Sequence, residues 1–100
     1  MTEEYELIDN VDGKQYEFHI REYVPYIEYM KSKNGEIYFT HTEVPIPLEG
    51  KGVGSQLVAK SLADVERQGL KLVPLCPFVA AYIQRHPEWK RIVMEGVNIG

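Results

Sequence analysis

Apolar and polar residues alternate along the first half of the chain, which is the pattern of half-buried β-strands. Tyr16, Phe18 and Ile20, for example, are separated by single polar residues. The alternation predicts four strands, over residues 5–8, 15–20, 26–31 and 37–44. The dipeptide Asn34-Gly35 between the last two is a strong hairpin signal. We therefore expect an antiparallel meander.

In the second half of the chain, the apolar residues recur with the period of a helix. A helix is predicted from about Val53 to Gln68, with Gly69 as its terminator. The inward-facing stripe of this helix consists of Leu57, Val58, Ser61, Leu62 and Val65. A second helix begins at Pro77, since proline is favourable at a first helical position, and it stops at Pro87.

A short apolar run over residues 70–75 lies between the two predicted helices and is typical of a buried strand. We expect it to lie parallel to the fourth strand, because a strand–helix–strand unit makes a right-handed crossover. Pro74 cannot donate a ladder hydrogen bond, so its position requires the fourth and fifth strands to diverge there. These patterns predict an α+β fold: one domain over residues 1–100, with a mixed, mostly antiparallel sheet of about five strands and two main helices.

Composition and charge narrow the class of protein. One hundred residues are enough for one hydrophobic core and too few for two. The net charge of −4 is spread along the chain, so we expect no basic surface for nucleic acid. No signal peptide or membrane-spanning apolar run is recognisable, and a single cysteine suits a reducing compartment. We expect a cytoplasmic monomer or weak dimer, without a metal site because the histidines and the cysteine lack ligand spacing.

Three glycines, Gly50, Gly52 and Gly54, separate the fourth strand from the first helix. Glycine allows positive φ and lets a ligand approach main-chain N–H groups closely. The N–H groups of a first helical turn also bind phosphate. The loop lacks the Gly-Lys-Ser of a P-loop, and Ser55 or Leu57 stands where G-x-G-x-x-G needs its last glycine. We therefore expect a phosphate-containing ligand, with no indication of ATP or NAD.

Four segments of the sequence carry a recognisable pattern: HTEVP at 41–45, EGKGVGSQLV at 49–58, LCPFV at 75–79 and YIQRHPEW at 82–89. In this order they resemble the short N-acetyltransferase-like proteins of the GNAT superfamily, the YjdJ type, and the resemblance covers roughly residues 5–93. The general GNAT loop reads R/Q-x-x-G-x-G/A. Gly52 and Gly54 occupy its glycine positions, but Glu49 stands where Arg or Gln is usual.

The resemblance implies acetyl-CoA as co-substrate, with its pyrophosphate at the glycine loop. Because Glu49 replaces the usual residue, main-chain N–H groups would hold the phosphates, with Lys51 as a charge partner. The diverging ends of the fourth and fifth strands would hold the pantetheine arm, and Val44 N–H would donate to the thioester carbonyl. The implied cofactor-binding residues are Val44, Gly50, Lys51, Gly52, Val53, Gly54, Ser55, Cys76 and Phe78.

The resemblance also implies catalytic residues on the fourth strand and the second helix. His41 would deprotonate the attacking amine, and Glu43 competes for this role; the alternative is that each is an ordinary strand residue, hydrogen-bonded or solvated. Cys76, before the second helix, would protonate the leaving CoA thiolate or accept the acetyl group itself. The alternative is a small buried thiol that packs on the sheet. Tyr82 is a further candidate acid, by loose similarity to the superfamily tyrosine.

The leading hypothesis is an acetyl-CoA-dependent N-acetyltransferase in which an amine attacks the thioester directly. The amine belongs to a small molecule, a protein lysine or a protein N-terminus. The alternative is a module that binds CoA or acetyl-CoA with little or no turnover, and a third possibility is an interaction domain that does not bind CoA. Members of the family lack the N-terminal helices that shape the acceptor pocket of larger acetyltransferases, so we expect an open acceptor site.

Overall fold

A computed structural model describes residues 3–99, which form a five-stranded sheet and two helices. The elements in chain order are β1 (Ile8–Asn10), β2 (Gln15–Glu17), β3 (Tyr26–Lys31), β4 (Glu36–Glu43), α1 (Val53–Gln68), β5 (Lys71–Pro74) and α2 (Pro77–Arg85), with 3₁₀ turns at Ile46–Leu48 and Pro87–Ile92. Strands β1 to β4 pair antiparallel in chain order, and β5 lies parallel to β4. The predicted α+β fold is confirmed.

The N-terminal part of the sheet is shorter than the alternation predicts. The strand predicted over residues 5–8 is wrong, because β1 begins only at Ile8. The backbone of Tyr5 instead pairs with side chains of α1: Tyr5 N–H donates to Gln56 Oε1 at 2.7 Å, and Lys60 Nζ donates to the Tyr5 carbonyl. The second strand also ends earlier than predicted.

The two helices pack against each other and share one hydrophobic core with the sheet. The stripe predicted for α1 is buried throughout, and its members are Leu57, Val58, Ser61, Leu62 and Val65. Burial of each aliphatic side chain contributes about 1.5–3 kcal/mol, so this stripe holds α1 firmly on the sheet. The helix is preceded by Gly52 and followed by Gly69, which are both left-handed.

A β-bulge interrupts the pairing of β3 with β4. Phe39 pairs with Tyr29, and His41 pairs with Glu28, which leaves Thr40 as an extra residue on β4. The Thr40 hydroxyl donates to Glu28, lying 3.2 Å from its carbonyl oxygen and 2.9 Å from Oε1. One extra residue shifts the alternation of side chains along a strand by one position.

The bulge decides which residues at the end of β4 face the core. Thr42 pairs with the fully buried Ile27 and therefore points to the core side of the sheet. His41 and Glu43 point to the opposite side, where both are exposed. Strict alternation from the buried Phe39 would reverse this arrangement, with His41 and Glu43 inward and Thr42 outward.

Strands β4 and β5 separate after a short ladder. Their last pair is Phe39 and Pro74, after which Cys76 N–H donates to the Phe39 carbonyl at 2.9 Å. Pro74 has no N–H with which to continue the ladder, and the divergence predicted from its position is confirmed. Residues 40–43 of β4 therefore have no partner on β5.

Candidate functional site

A cavity of about 520 Å³ lies where the end of β4 meets the first turn of α1. Its walls come from residues 42–44, from residues of the segment 48–55 and from the start of α2. Of the cofactor-binding residues predicted from the sequence, those that line it are Val44, Gly50, Gly52, Val53, Gly54, Ser55 and Phe78. Its volume is in the range of clefts that hold small molecules and cofactors.

Local sequence shapes the segment between β4 and α1. Pro45 precedes the 3₁₀ turn over Ile46–Leu48, and this turn buries Leu48 in the core, which anchors the loop. Gly50 and Gly52 then adopt φ values of 78° and 76°. This left-handed conformation costs other residues about 1–2 kcal/mol. The two glycines therefore let the chain turn sharply into α1 beside the cavity.

The first turn of α1 carries unpaired main-chain N–H groups. No side chain of the described residues caps the helix, and Gln56 N–H donates to the Gly52 carbonyl at 3.1 Å. Among residues 3–99, no acceptor pairs with the N–H groups of Val53, Gly54 and Ser55, and the turn contains no acidic side chain. These groups and the positive end of the helix dipole together suit a phosphate.

Gly54 lies against the ring of Phe78. A Cβ atom at position 54 would be 2.6 Å from Phe78 Cζ and 3.4 Å from Val44 Cγ2. The first distance is too short for two non-bonded carbon atoms, so a larger residue forces the ring to move. The Phe78 side chain is 42% exposed and lines the cavity. The missing side chain at position 54 therefore sets the width of the cavity at the helix end.

Two histidines each lie close to a glutamate two positions away in the chain, one pair at the end of β2 and one at the end of β4. His41 Nε2 is 3.2 Å from Glu43 Oε1, with both side chains about half exposed, and Glu43 lines the cavity. His19 Nε2 is 2.6 Å from Glu17 Oε1, and neither of these residues lines the cavity. The structure therefore joins the two predicted bases, His41 and Glu43, into one pair at the cavity edge.

The second pair belongs to the β1–β2 hairpin. Glu17 is buried and also accepts hydrogen bonds from Gln15 at 2.7 Å and Asn10 at 3.3 Å. Burial raises the pKa of the Glu17 carboxyl, but the hydrogen bonds from His19, Gln15 and Asn10 outweigh it and lower the pKa below its usual value. The pair is thus an internal contact of the hairpin.

The Cys76 thiol is one side chain away from the cavity. It is buried, with 4% of the residue exposed, and it does not line the cavity. Its Sγ donates to Thr42 Oγ1 at 3.2 Å, and Thr42 does line the cavity. Sequence reasoning missed Thr42, because its inward direction depends on the bulge and no pattern in β4 signals the bulge.

Tyr82 and Lys51, which were also predicted, do not line the cavity. The Tyr82 ring is buried and lies beside the imidazole of His86, with centroids 4.3 Å apart. Burial raises the pKa of the Tyr82 phenol and so makes it a weaker proton donor. Lys51 is exposed and lies between the lining residues Gly50 and Gly52.

The sequence matches a protein family described as GCN5-related N-acetyl-transferase over residues 15–92, which is more than half of the chain. The cavity and every candidate side chain described above lie within this match. A search of curated proteins finds no match. Within residues 3–99, no three His, Cys, Asp or Glu side chains group as metal ligands, and no helix is both long and apolar enough to cross a membrane.

Proposed function

Since this chain belongs to the GCN5-related N-acetyltransferase family, whose activity is acyl transfer, we propose that it transfers an acetyl group from acetyl-CoA to an amine. The observation that carries the proposal is the cavity of about 520 Å³ in which the first turn of α1 meets the end of β4 that has no partner on β5. The acceptor is an amine on a small molecule or a protein, and the proposed compartment is the cytoplasm. The steps below assign a role to each wall of the cavity.

The CoA pyrophosphate binds the main-chain N–H groups of Val53, Gly54 and Ser55 in this proposal. The three residues line the cavity, and their N–H groups have no protein acceptor among the described residues. A hydrogen bond to a charged group contributes about 1.5–3 kcal/mol, so the first turn of α1 supplies much of the affinity. Lys51 adds a positive charge, which offsets the acidic Glu49 on the cavity wall.

The thioester carbonyl binds Val44 N–H in this proposal. Val44 lines the cavity, and its N–H has no main-chain acceptor in the described part of the chain. Because β5 has already diverged from β4, this end of β4 is paired with β3 on one edge and is open on the edge that faces β5. A main-chain N–H here stabilises the negative charge that develops on the carbonyl oxygen during attack.

The pair of His41 and Glu43 accepts the proton of the amine. An amine attacks a thioester only in its neutral form, and a base near the attacking nitrogen takes the proton released on attack. Glu43 lines the cavity and His41 lies 3.2 Å from it, so the proton passes to the pair directly or through one water. The step forms the C–N bond and breaks the C–S bond.

The leaving CoA thiolate needs a proton, and we assign its source to Cys76 in preference to Tyr82. Cys76 is hydrogen-bonded to Thr42, which lines the cavity, whereas Tyr82 lies in the core beside His86. The position of Cys76 behind Thr42 also favours direct attack by the amine over an acetylated cysteine. The sulfur has no direct access to a thioester in the cavity.

Calorimetric titration with acetyl-CoA and with CoA tests the first step, with intact mass measured on the same samples. We expect both to bind, with no acetyl group added to the protein. A screen of small amines and lysine-containing peptides should then give acetylated product and free CoA thiol. Failure to bind would refute the CoA site. Binding without turnover across the screen would refute the transferase in favour of a CoA-binding module.

His41→Ala tests the base, and His19→Ala is its matched control. Both substitutions remove a histidine that pairs with a glutamate, but only the His41 pair reaches the cavity. Loss of a general base lowers turnover by about 100-fold or more, so we expect this fall in kcat for His41→Ala with unchanged acetyl-CoA affinity. His19→Ala should keep the kcat of the unmodified protein. Equal kcat values in the two variants would remove His41 from the mechanism.

A further inference from the structure

We propose that Thr42 relays a proton from the Cys76 thiol to the leaving CoA thiolate. The inference rests on the proposed transferase function and concerns how its leaving group is protonated. It assigns a role to a hydroxyl that stands between the one cysteine of the chain and the cavity.

The geometry separates the thiol from the ligand by one side chain. Cys76 is 4% exposed and does not line the cavity, so its proton cannot pass directly to a thiolate bound there. The Sγ atom lies 3.2 Å from Thr42 Oγ1, and Thr42 lines the cavity. Thr42 is therefore in contact with both the thiol and the space that the ligand occupies.

The chemistry of a hydroxyl suits this position. A threonine hydroxyl accepts hydrogen bonds through two lone pairs and donates one proton of its own. Thr42 accepts from Cys76, and none of the residues 3–99 accepts the proton of the Thr42 hydroxyl. That proton is free to point into the cavity, toward the sulfur of bound CoA.

The fold builds this contact through two irregular features. The bulge at Thr40 turns Thr42 to the core side of β4, which is the side of Cys76. The divergence of β4 and β5 after Phe39 and Pro74 opens the space that the two side chains share. Without the bulge, His41 and Glu43 would face the Cys76 thiol, and Thr42 would face solvent.

The proposed step balances in atoms and charge. As the amine attacks, the C–S bond of the thioester breaks and leaves CoA as a thiolate. The thiolate takes the proton of the Thr42 hydroxyl, while the hydroxyl oxygen takes the proton of the Cys76 thiol. Cys76 is left as a thiolate, and the pair of His41 and Glu43 holds the proton from the amine. Water returns a proton to Cys76 through Thr42 and takes one from the pair, which completes the cycle.

The relay predicts a specific pattern of kinetics in Thr42→Val, Thr42→Ser and Cys76→Ala. Thr42→Val keeps the side-chain shape and removes the hydroxyl, so kcat should fall by about 100-fold or more while acetyl-CoA affinity is unchanged. Thr42→Ser restores the hydroxyl and should recover most of kcat. Cys76→Ala should lower kcat as Thr42→Val does, and the double variant should lose no more, because both changes break one path.

Two further measurements separate a relay from a structural role. The solvent isotope effect on kcat should shrink in Thr42→Val, because a proton in flight has been removed. Ser61→Ala is the matched control, since it removes a buried hydroxyl from α1 that does not line the cavity. Its kcat and isotope effect should equal those of the unmodified protein.

Three outcomes would overturn the relay. A Thr42→Val variant with full kcat and isotope effect removes the hydroxyl from the mechanism. Losses that multiply in the double variant show that Thr42 and Cys76 act independently. Acetylation of Cys76, detected by intact mass as one acetyl group that is absent from Cys76→Ala, shows a covalent route. If Thr42→Val does not fold, Thr42→Ala, which also removes the hydroxyl, takes its place in the comparison with Cys76→Ala and the double variant. If the unmodified protein turns over no amine, the transferase proposal itself fails, and this outcome is distinct from the other three.

Discussion

Replacement of Gly54 by alanine should separate ligand binding from folding. The new Cβ atom would lie 2.6 Å from Phe78 Cζ and 3.2 Å from Phe78 Cε1. Carbon atoms in ordinary contact are about 3.5–4.0 Å apart, so the tip of the ring must retreat by about 1 Å. The contact is with the far end of a partly exposed side chain, which moves more easily than backbone. The ring therefore shifts and the helix stays in place.

Two effects on folding nearly cancel in this variant. Alanine in a helix is favoured over glycine by roughly 0.5–1 kcal/mol, and displacement of the Phe78 ring loses contacts of similar value. We therefore expect the free energy of unfolding to stay within about 1 kcal/mol of the unmodified protein. For a domain of this size, this corresponds to a change in Tm of less than about 8 °C.

The effect on ligand binding should be much larger. The methyl group and the displaced ring both narrow the cavity at the N–H groups of Val53, Gly54 and Ser55. Loss of one hydrogen bond to a charged phosphate removes about 1.5–3 kcal/mol. The Kd for CoA should therefore rise by about 10- to 100-fold.

Calorimetric titration with CoA and thermal unfolding of the same preparation measure both effects. Gly35→Ala is the matched control, because Gly35 has a φ of 83° in the β3–β4 hairpin and an added Cβ would have no atom of residues 3–99 within 4 Å. This control should lose about 1–2 kcal/mol of stability and keep its affinity. If Gly54→Ala binds CoA with unchanged Kd, the contact of Gly54 with Phe78 does not control CoA binding. If the variant loses affinity only together with its fold, the contact serves folding and the prediction is also wrong.

Two predictions concern stability away from the cavity. Ser61→Ala removes a buried hydroxyl that has no partner among the described residues, so the free energy of unfolding in urea should rise by about 1 kcal/mol; a decrease would contradict this. Asp64 is partly buried, which raises the pKa of its carboxyl, but hydrogen bonds from Tyr16, Arg67 and Gln68 outweigh this and lower the pKa below 3.8. Its contribution to stability is therefore present above pH 3.8 and is lost as the pH falls through the folded pKa. In Asp64→Asn, the free energy of unfolding measured in urea should depend less on pH below about pH 4. An unchanged dependence on pH would show that the Asp64 carboxylate does not contribute to the loss of stability in acid.

Local signals in the sequence were sufficient for the helices, the turns and the glycine loop. The limits of α1 were predicted correctly because Gly69 ends the helix with a left-handed residue, which depends only on neighbouring residues. The hairpin at Gly35 and the strand break at Pro74 were also predicted, because positive φ and a missing N–H are properties of single residues. The glycine spacing also identified Gly50, Gly52 and Gly54, whereas Val44 and Phe78 came from the resemblance to a family; all five line the cavity.

The start of the first strand depends on hydrogen bonds to a distant part of the chain, which the alternation of apolar and polar residues does not show. Tyr5 and Leu7 alternate with polar residues as a strand would, but Tyr5 pairs with Gln56 and Lys60 on α1. The competing hydrogen bonds come from residues about fifty positions further along the chain. No local pattern contains that information.

The arrangement of the candidate chemistry also came only from the tertiary structure. His41, Glu43 and Cys76 were identified as residues, but the faces on which they lie follow from one extra residue, Thr40, in the pairing of β4 with β3. A bulge is a property of two strands together, and a shift of one residue exchanges the two faces of everything that follows it. The bulge therefore placed Thr42 against the cysteine and the His41–Glu43 pair on the open face, which alternation along β4 alone would have reversed.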